Sequence, residues 1–340
     1  MKDLIRKLTE AWGPSGHEAE VRAIIRGEVE KTGVLKGKGC EARVDALGNL
    51  IVLRKGDGGG KRVMLAAHMD EIGVVVTHVD EKGFLRFGGV GGVRPLHLNG
   101  GRVRFAGGSS GAIGLEKLDD ASRVPGLEKF YIDIGARDRE GSRVKVGDVG
   151  CFHRAFEEVG DRLMAKAMDD RIGCAILLAV LQELASSPHE LSFVFTVQEE
   201  VGLRGASTSG YGVEPELALA VDVTGTGDTP ECAPMAVSLG AGPAVKVKDS
   251  GMLAHPGVKD WLIRTAEAEG IPFQREVLTA GTTDACAIQI TRAGVPSGCV
   301  SIPARYVHSP SEIVDYGDVL GAVKLITAAL SGPIDIGERG

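Results

Sequence analysis

Between Val74 and Asp161 the chain changes its grammar. Short β-type segments (Val74–Thr77, Phe84–Phe87 and Arg102–Phe105) follow one another across glycine turns, and no helical period intervenes. The sequence on either side alternates helix and strand patterns instead. Leu4, Ile5 and Leu8 share a helical face, and Pro14-Ser15-Gly16 breaks it. Ser15 and Glu18 form an S-x-x-E pattern, which predicts a capping box ahead of Val21, Ile24, Ile25 and Val29 at helical spacing. Leu50–Leu53 reads as a strand, and Val63–Ala67 is a continuous apolar run of the kind a strand buried on both faces requires. Beyond the interruption, Ile172–Leu184, Val258–Glu269 and Val319–Leu330 have helical periods, and Leu191–Val197 and Leu217–Val223 read as strands. The expectation is an α/β chain carrying an inserted β domain: one discontinuous domain over 1–73 and 162–340, and an insert over 74–161.

Composition supports two domains and narrows the partners. The length of 340 residues exceeds what one small core needs. Glycine supplies 49 of those residues, about twice the usual share of ~7%, in keeping with many tight turns. A formal charge of −7 offers no basic field for nucleic acid or an anionic membrane. The longest uncharged apolar run, Ile172–Leu181, is about half of the ~18–20 residues a membrane span takes. The charged start Met1–Lys7 lacks the apolar core of a secretory signal. Six scattered cysteines without a C-x-x-C pair read as free thiols of a cytoplasmic protein.

Histidine and acidic residues fall where an α/β sheet exposes its ligand-binding rim, beyond the carboxyl ends of strands. His68 and Asp70 follow the Val63–Ala67 run, Glu199 and Glu200 follow Leu191–Val197, and Asp222 lies near the end of Leu217–Val223. Asp169 and Asp170 stand just before the helix that begins near Ile172, and His308 lies in a loop after Cys299–Ile302. Taken singly, each has a bland reading as a cap, a surface acid or a core hydrogen bond. Gathered on one rim, so many acids would repel one another without a cation. The inventory suits two divalent ions: one bridging acid, one histidine and one acid on each side, and one acid left as base.

The strings Ala67-His68-Met69-Asp70-Glu71-Ile72-Gly73, Lys166-Ala167-Met168-Asp169-Asp170-Arg171 and Val197-Gln198-Glu199-Glu200-Val201-Gly202 resemble the tetrahedral aminopeptidases, di-metal peptidases related to glutamyl aminopeptidase. Val221-Asp222-Val223, Gly281-Thr282-Thr283-Asp284-Ala285 and Arg305-Tyr306-Val307-His308-Ser309-Pro310 extend the likeness in the same order, from Pro14 almost to Leu330. The resemblance implies a three-layer α/β peptidase domain of phosphorylase/hydrolase type with an inserted PDZ-like β domain, in a cytoplasmic homo-oligomer of dimers assembled into a dodecamer. It implies two divalent ions per subunit, zinc or cobalt in the first place and manganese in the second, and peptide substrates. His68 and Asp222 would hold one ion, Glu200 and His308 the other, and Asp169 would bridge them. Glu199 would be the general base and Asp70 the partner that orients His68. A substrate pocket is expected from Thr224–Met235, Gly240–Ala241 and Gly281–Asp284. The insert's β edges would be covered by a second subunit.

Three other readings compete. Another di-metal amidohydrolase, such as a deacylase, would use the same ligands. A glucanase would need two carboxylates around a sugar and no metal, which two histidines among acids match poorly. A non-catalytic metal-binding assembly protein would keep the ligands and dispense with the base, yet Glu199 is in place.

Overall fold

The protein is described from a computed structural model covering residues 1–37, 39–120 and 122–337. Helices α1 (Lys2–Glu10) and α2 (Ala19–Thr32) lead into strands β1 (Glu41–Val44), β2 (Leu50–Arg54) and β3 (Arg62–His68). The interruption holds β4 (Gly73–Val79), β5 (Leu85–Val90), β6 (Arg102–Phe105), β7 (Ser110–Leu115), β8 (Phe130–Asp133) and β9 (Val149–Phe152). Then come β10 (Glu157–Val159), β11 (Arg162–Ala165), α3 (Met168–Glu183), β12 (Glu190–Thr196), α4 (Arg204–Val213) and β13 (Leu217–Thr224). The chain closes with β14 (Ala244–Lys248), α5 (Pro256–Ala268), β15 (Gln274–Val277), α6 (Asp284–Gln289), β16 (Ser297–Arg305), β17 (Glu312–Asp315) and α7 (Tyr316–Ser331).

A parallel run β12-β3-β13-β16 forms the centre of the large sheet. Its strands are apolar on both faces because helices cover both. Val63, Leu65 and Ala67 of β3 join the core shared with α1, α2, α3, α5 and α7, while Met64 and Ala66 pack against Ala206 of α4 and Ala287 and Ile288 of α6. The result is a mixed α/β fold in three layers. Helix α3 is apolar around nearly its whole circumference and lies buried between sheet and outer helices. In register, Thr196 of β12 stands beside His68 of β3, so neighbouring strands end at one rim.

The β-rich segment closes on itself as a barrel, in the order β4-β5-β8-β7-β6-β9, around its own core of residues such as Val74, Leu85, Phe130 and Ile132. Closure leaves no open edge, so the expectation that a second subunit must cover one loses its physical basis. The barrel strands end at Phe152, and β10 already pairs into the large sheet, whose core receives Phe156.

The predicted capping box does not form. Helix α2 starts at Ala19, with Glu18 in the cap position and no side-chain cap bond. Ser15 Oγ donates instead to Asp70 Oδ2 at 2.6 Å, and Glu18 Oε1 accepts from the N–H groups of Gly16 and Gln198. Both side chains are drawn away from the helix by the site beside it. All six cysteines are free thiols, and among the described residues no helix is long and apolar enough to cross a membrane.

Candidate active site

The rim brings together His68, Asp169, Glu199, Glu200, Asp222 and His308. His68 ends β3, and its Nδ1 lies 3.1 Å from the carbonyl of Asp70. A carbonyl only accepts, so Nδ1 carries the proton and Nε2 is turned toward Asp169 Oδ1, 3.0 Å away. Glu199 Oε2 and Asp222 Oδ1 are each 3.9 Å from the same nitrogen. His308 points its Nε2 at Asp169 Oδ2 and at Glu200 Oε2, both at 3.3 Å. Its Nδ1 donates to the carbonyl of Gly92, at 3.1 Å, which fixes the ring in the same sense. The two oxygens of Asp169 thus face two different imidazoles.

Local backbone explains how the side chains converge. Asp169 and Asp170 sit at the start of α3 in non-helical conformations, joined by a cis peptide bond. Asp170 turns away from the cleft and accepts from the N–H groups of His68 and Gly173. Ala167, Gln198 and His308 adopt positive φ of 54°, 56° and 64°, a left-handed conformation uncommon for residues with side chains. Asp70 is fully buried and makes its shortest contacts to groups other than His68. Its carboxylate accepts from the N–H of Glu199 at 3.0 Å, of Glu200 at 3.2 Å and from Ser15, whereas His68 Nδ1 lies 3.5 Å off. Asp70 therefore aims the Glu199–Glu200 segment as much as it orients the imidazole.

Burial and mutual repulsion dominate the electrostatics. Burial opposes protonation of His68, yet Glu199, Asp169 and Asp70 outweigh it and raise its pKa well above the ordinary value. His308 is likewise pushed up to about 11, burial being overcome by Asp169 and Glu200. Asp169 is held low: its hydrogen bonds with the two histidines outweigh the cost of burial. Burial raises Glu199, Glu200 and Asp222, and neighbouring carboxylates add to it against the pull of the histidines. So many buried acids around two imidazoles form a site short of positive charge. Two sets of donor atoms lie close enough to hold a metal ion, His68 with Glu199 and Asp222, and His68 with Asp169 and Glu200.

Sequence reasoning gave no role of its own to three supports, although Asp284 and Arg171 fall within the quoted motifs. Glu312, buried on β17, accepts from the N–H of Asp169 at 3.0 Å and of His308 at 2.8 Å, tying two of the facing segments together. Asp284 is buried below the cleft, where burial pushes it up to about 6; Thr196 donates to one of its oxygens, and among the described residues the other has no partner. Arg171 is fully buried, donating to the carbonyls of Met69, Leu8 and Gly13 and pairing with Glu71, which Lys166 also meets at 2.7 Å. Only the repeated charge in Lys166–Arg171 and in Glu71 hinted at that cluster. The cleft above the rim is about 480 Å³ and is walled by Thr224, Gly225, Leu278 and Ala280–Thr282, joined by Gly92 and Arg94 of the loop after β5. Gly240 and Ala241 are absent from that wall; Gly240 N–H donates to Asp318.

Residues 48–325 match the M42 glutamyl aminopeptidase family. The chain belongs to that family. Of related sequences, one from Acetivibrio thermocellus named as an aminopeptidase is 49% identical over 335 residues, which cover 97% of this chain and 98% of the relative. Of solved structures, aminopeptidase APDkam598 from the archaeon Desulfurococcus kamchatkensis superposes with a TM-score of 0.92 at 40% identity, covering 97% of this chain and 94% of its own. The TET1 peptidase of Pyrococcus horikoshii, which can assemble into a tetrahedron or a large octahedral shell, gives 0.86 at 32% identity, covering 97% and 98%. This M42 protein is an aminopeptidase, a hydrolase of peptide bonds, and the rim described above lies within the matched residues.

Proposed function

We propose that this M42 aminopeptidase removes N-terminal residues from peptides with two divalent ions held by five side chains. The observation that carries the reading is the Asp169 carboxylate, with one oxygen 3.0 Å from His68 and the other 3.3 Å from His308. Asp169 would bridge, His68 and Asp222 would complete one site, and Glu200 and His308 the other. Mixed imidazole and carboxylate donors suit zinc or cobalt, with manganese a weaker match, and the excess of buried acid is the charge such ions would neutralise. When bound, ions of this kind polarise a carbonyl and lower the pKa of water. Glu199, although its carboxylate lies within reach of the His68–Asp222 ion, is assigned as general base, taking a proton from the attacking water and returning it to the leaving amine. Asp70 positions Glu199 through its backbone N–H and fixes His68 through the Asp70 carbonyl.

The barrel is the counterpart of the family's inserted PDZ-like domain, and residues 74–161 serve assembly. Likeness to the TET1 peptidase supports a homo-oligomer of dimers that build a dodecamer. Free thiols throughout support a cytoplasmic setting. The test of activity is chromophore release from an unblocked aminoacyl substrate beside its N-blocked analogue. Release from the unblocked substrate alone, lost on chelation and restored by Zn²⁺ or Co²⁺, is expected. Reconstituted protein that binds no divalent ion would overturn the reading. Sedimentation as a 35.6 kDa monomer at micromolar concentration would remove the assembly.

A further inference from the structure

Six charged residues line the active-site cleft, and five of them belong to the hydrolytic rim; the sixth is Arg94. It is exposed, and among the described residues no acid lies within ion-pair distance of its guanidinium. Its backbone, by contrast, is well held. Arg94 precedes Pro95 at the head of a short turn, and its carbonyl accepts from the N–H of His97 at 3.0 Å. The same loop is fastened to the rim at two points, by Gly92 O to His308 Nδ1 and by His97 Nδ1 to His308 O, both at 3.1 Å. The loop that carries this cation is thus fastened to the rim by its backbone and by His97, and the guanidinium is left free for a ligand.

We propose that Arg94 binds a carboxylate of the substrate, in the first place the C-terminal carboxylate of a short peptide. The inference rests on the aminopeptidase reading of this cleft. A short peptide ends in a carboxylate, and among the residues lining the cleft away from the rim Arg94 is the group charged to meet it. The remaining wall, with Leu203, Val223 and Leu278, is apolar and suits a side chain. A volume of about 480 Å³ lies within the range of small-ligand sites. The planar fork of arginine matches a carboxylate through two parallel bonds. An acidic side chain on the N-terminal residue offers the same group.

The experiment compares wild type, Arg94→Gln and Arg94→Lys in metal-reconstituted full-length protein. One substrate pair is Leu-Gly-Gly and its C-terminal amide; the other is the p-nitroanilide of glutamate and that of glutamine. The acid-to-amide ratio of kcat/KM should fall roughly fivefold to thirtyfold in Arg94→Gln, between the value of an exposed ion pair and that of a charge-assisted hydrogen bond. Arg94→Lys should restore part of it, since lysine keeps the charge without the fork. A fall in the tripeptide pair supports the C-terminal carboxylate, and a fall in the anilide pair alone supports the side chain. Unchanged ratios in both pairs overturn the proposal while leaving the hydrolytic reading intact. Calorimetric binding of Leu-Gly-Gly and its amide to Glu199→Gln protein, with and without Arg94→Gln, decides the matter even if turnover fails. Equal affinities for acid and amide in the presence of Arg94 would overturn it there too.

Discussion

His68 ends a strand enclosed by other strands, with its side chain 2% exposed, whereas His308 hangs from a loop with positive φ and a side chain 25% exposed. Both rings face Asp169, and both have Nδ1 fixed by a backbone carbonyl, but the carbonyls come from different places. For His68 it is Asp70, two residues on and wired to the core through Ser15 and the N–H groups of Glu199 and Glu200. For His308 it is Gly92, in the loop that leaves the barrel. One half of the site is a product of the large sheet, and the other half is assembled where that sheet meets the barrel. The difference teaches where damage should travel: core substitutions should act on the His68 half through stability, and loop substitutions on the His308 half with the fold intact.

The largest effect separates the adjacent acids that serve the two halves. Glu199→Gln keeps the shape of the side chain and cannot accept a proton. Turnover should fall by about 10²–10⁴ while both ions remain bound. Glu200→Gln should instead lower metal content, because Glu200 lies beside His308 and an amide oxygen is a poorer ligand than a carboxylate. Metal analysis of both variants gives the answer, and loss of an ion from Glu199→Gln alone would reverse the two roles.

Next in size is Arg171→Met, which probes the core anchorage of the His68 half. Removing the guanidinium takes the side-chain donor from the carbonyls of Met69 and Leu8, leaves Gly13 O with only the N–H of Glu71, and leaves Glu71 with one cation fewer. Breaking a buried pair from one side costs about 3–5 kcal/mol. Denaturant unfolding of the metal-free protein should register that loss; a change below ~1 kcal/mol would show that the His68 segment has another anchor.

Gly92→Ala probes the other half. A methyl group there would come within 2.4 Å of His308 Nδ1 and 2.5 Å of Cε1, so the ring must move. Displacing the orienting partner of a ligating histidine typically costs ~10–100-fold in metal affinity. The unfolding midpoint should barely shift, because Gly92 is exposed. A large stability loss with normal metal affinity would erase the contrast between the halves.

The same contrast governs what could be read from sequence. Strand ends advertise themselves, so His68, Glu199, Glu200 and Asp222 were recognisable as rim residues from the apolar runs before them. The β interruption was legible from its glycine turns, but its closure into a barrel was not, since closure depends on pairing β9 with β4 and β6. Ser15 and Glu18 misled because a capping pattern and a pair of buried site contacts have the same spelling. Gly92, Glu312 and Arg171 stayed hidden for a common reason: each meets a partner in a distant part of the chain (His308, Asp169 and Met69), and no local period records such a contact.

The smallest effect tests whether the loop after β5 grips His308 at two points or at one. His97 Nδ1 lies 3.1 Å from the carbonyl of His308, and His97→Phe keeps a ring of similar shape while deleting the donor. A neutral hydrogen bond contributes about 0.5–1.5 kcal/mol net, and here water can reach the carbonyl that is left, so the low end applies. We expect kcat/KM to fall about twofold to fivefold. Coupling is more telling than size. If Gly92, through the ring, and His97, through the backbone carbonyl, fix the same residue, Gly92→Ala will already have spoiled its placement, and adding His97→Phe should cost less than it does alone. Strict additivity in that double-mutant cycle would mean that the two contacts act separately. The barrel's hold on His308 would then reduce to the single carbonyl of Gly92.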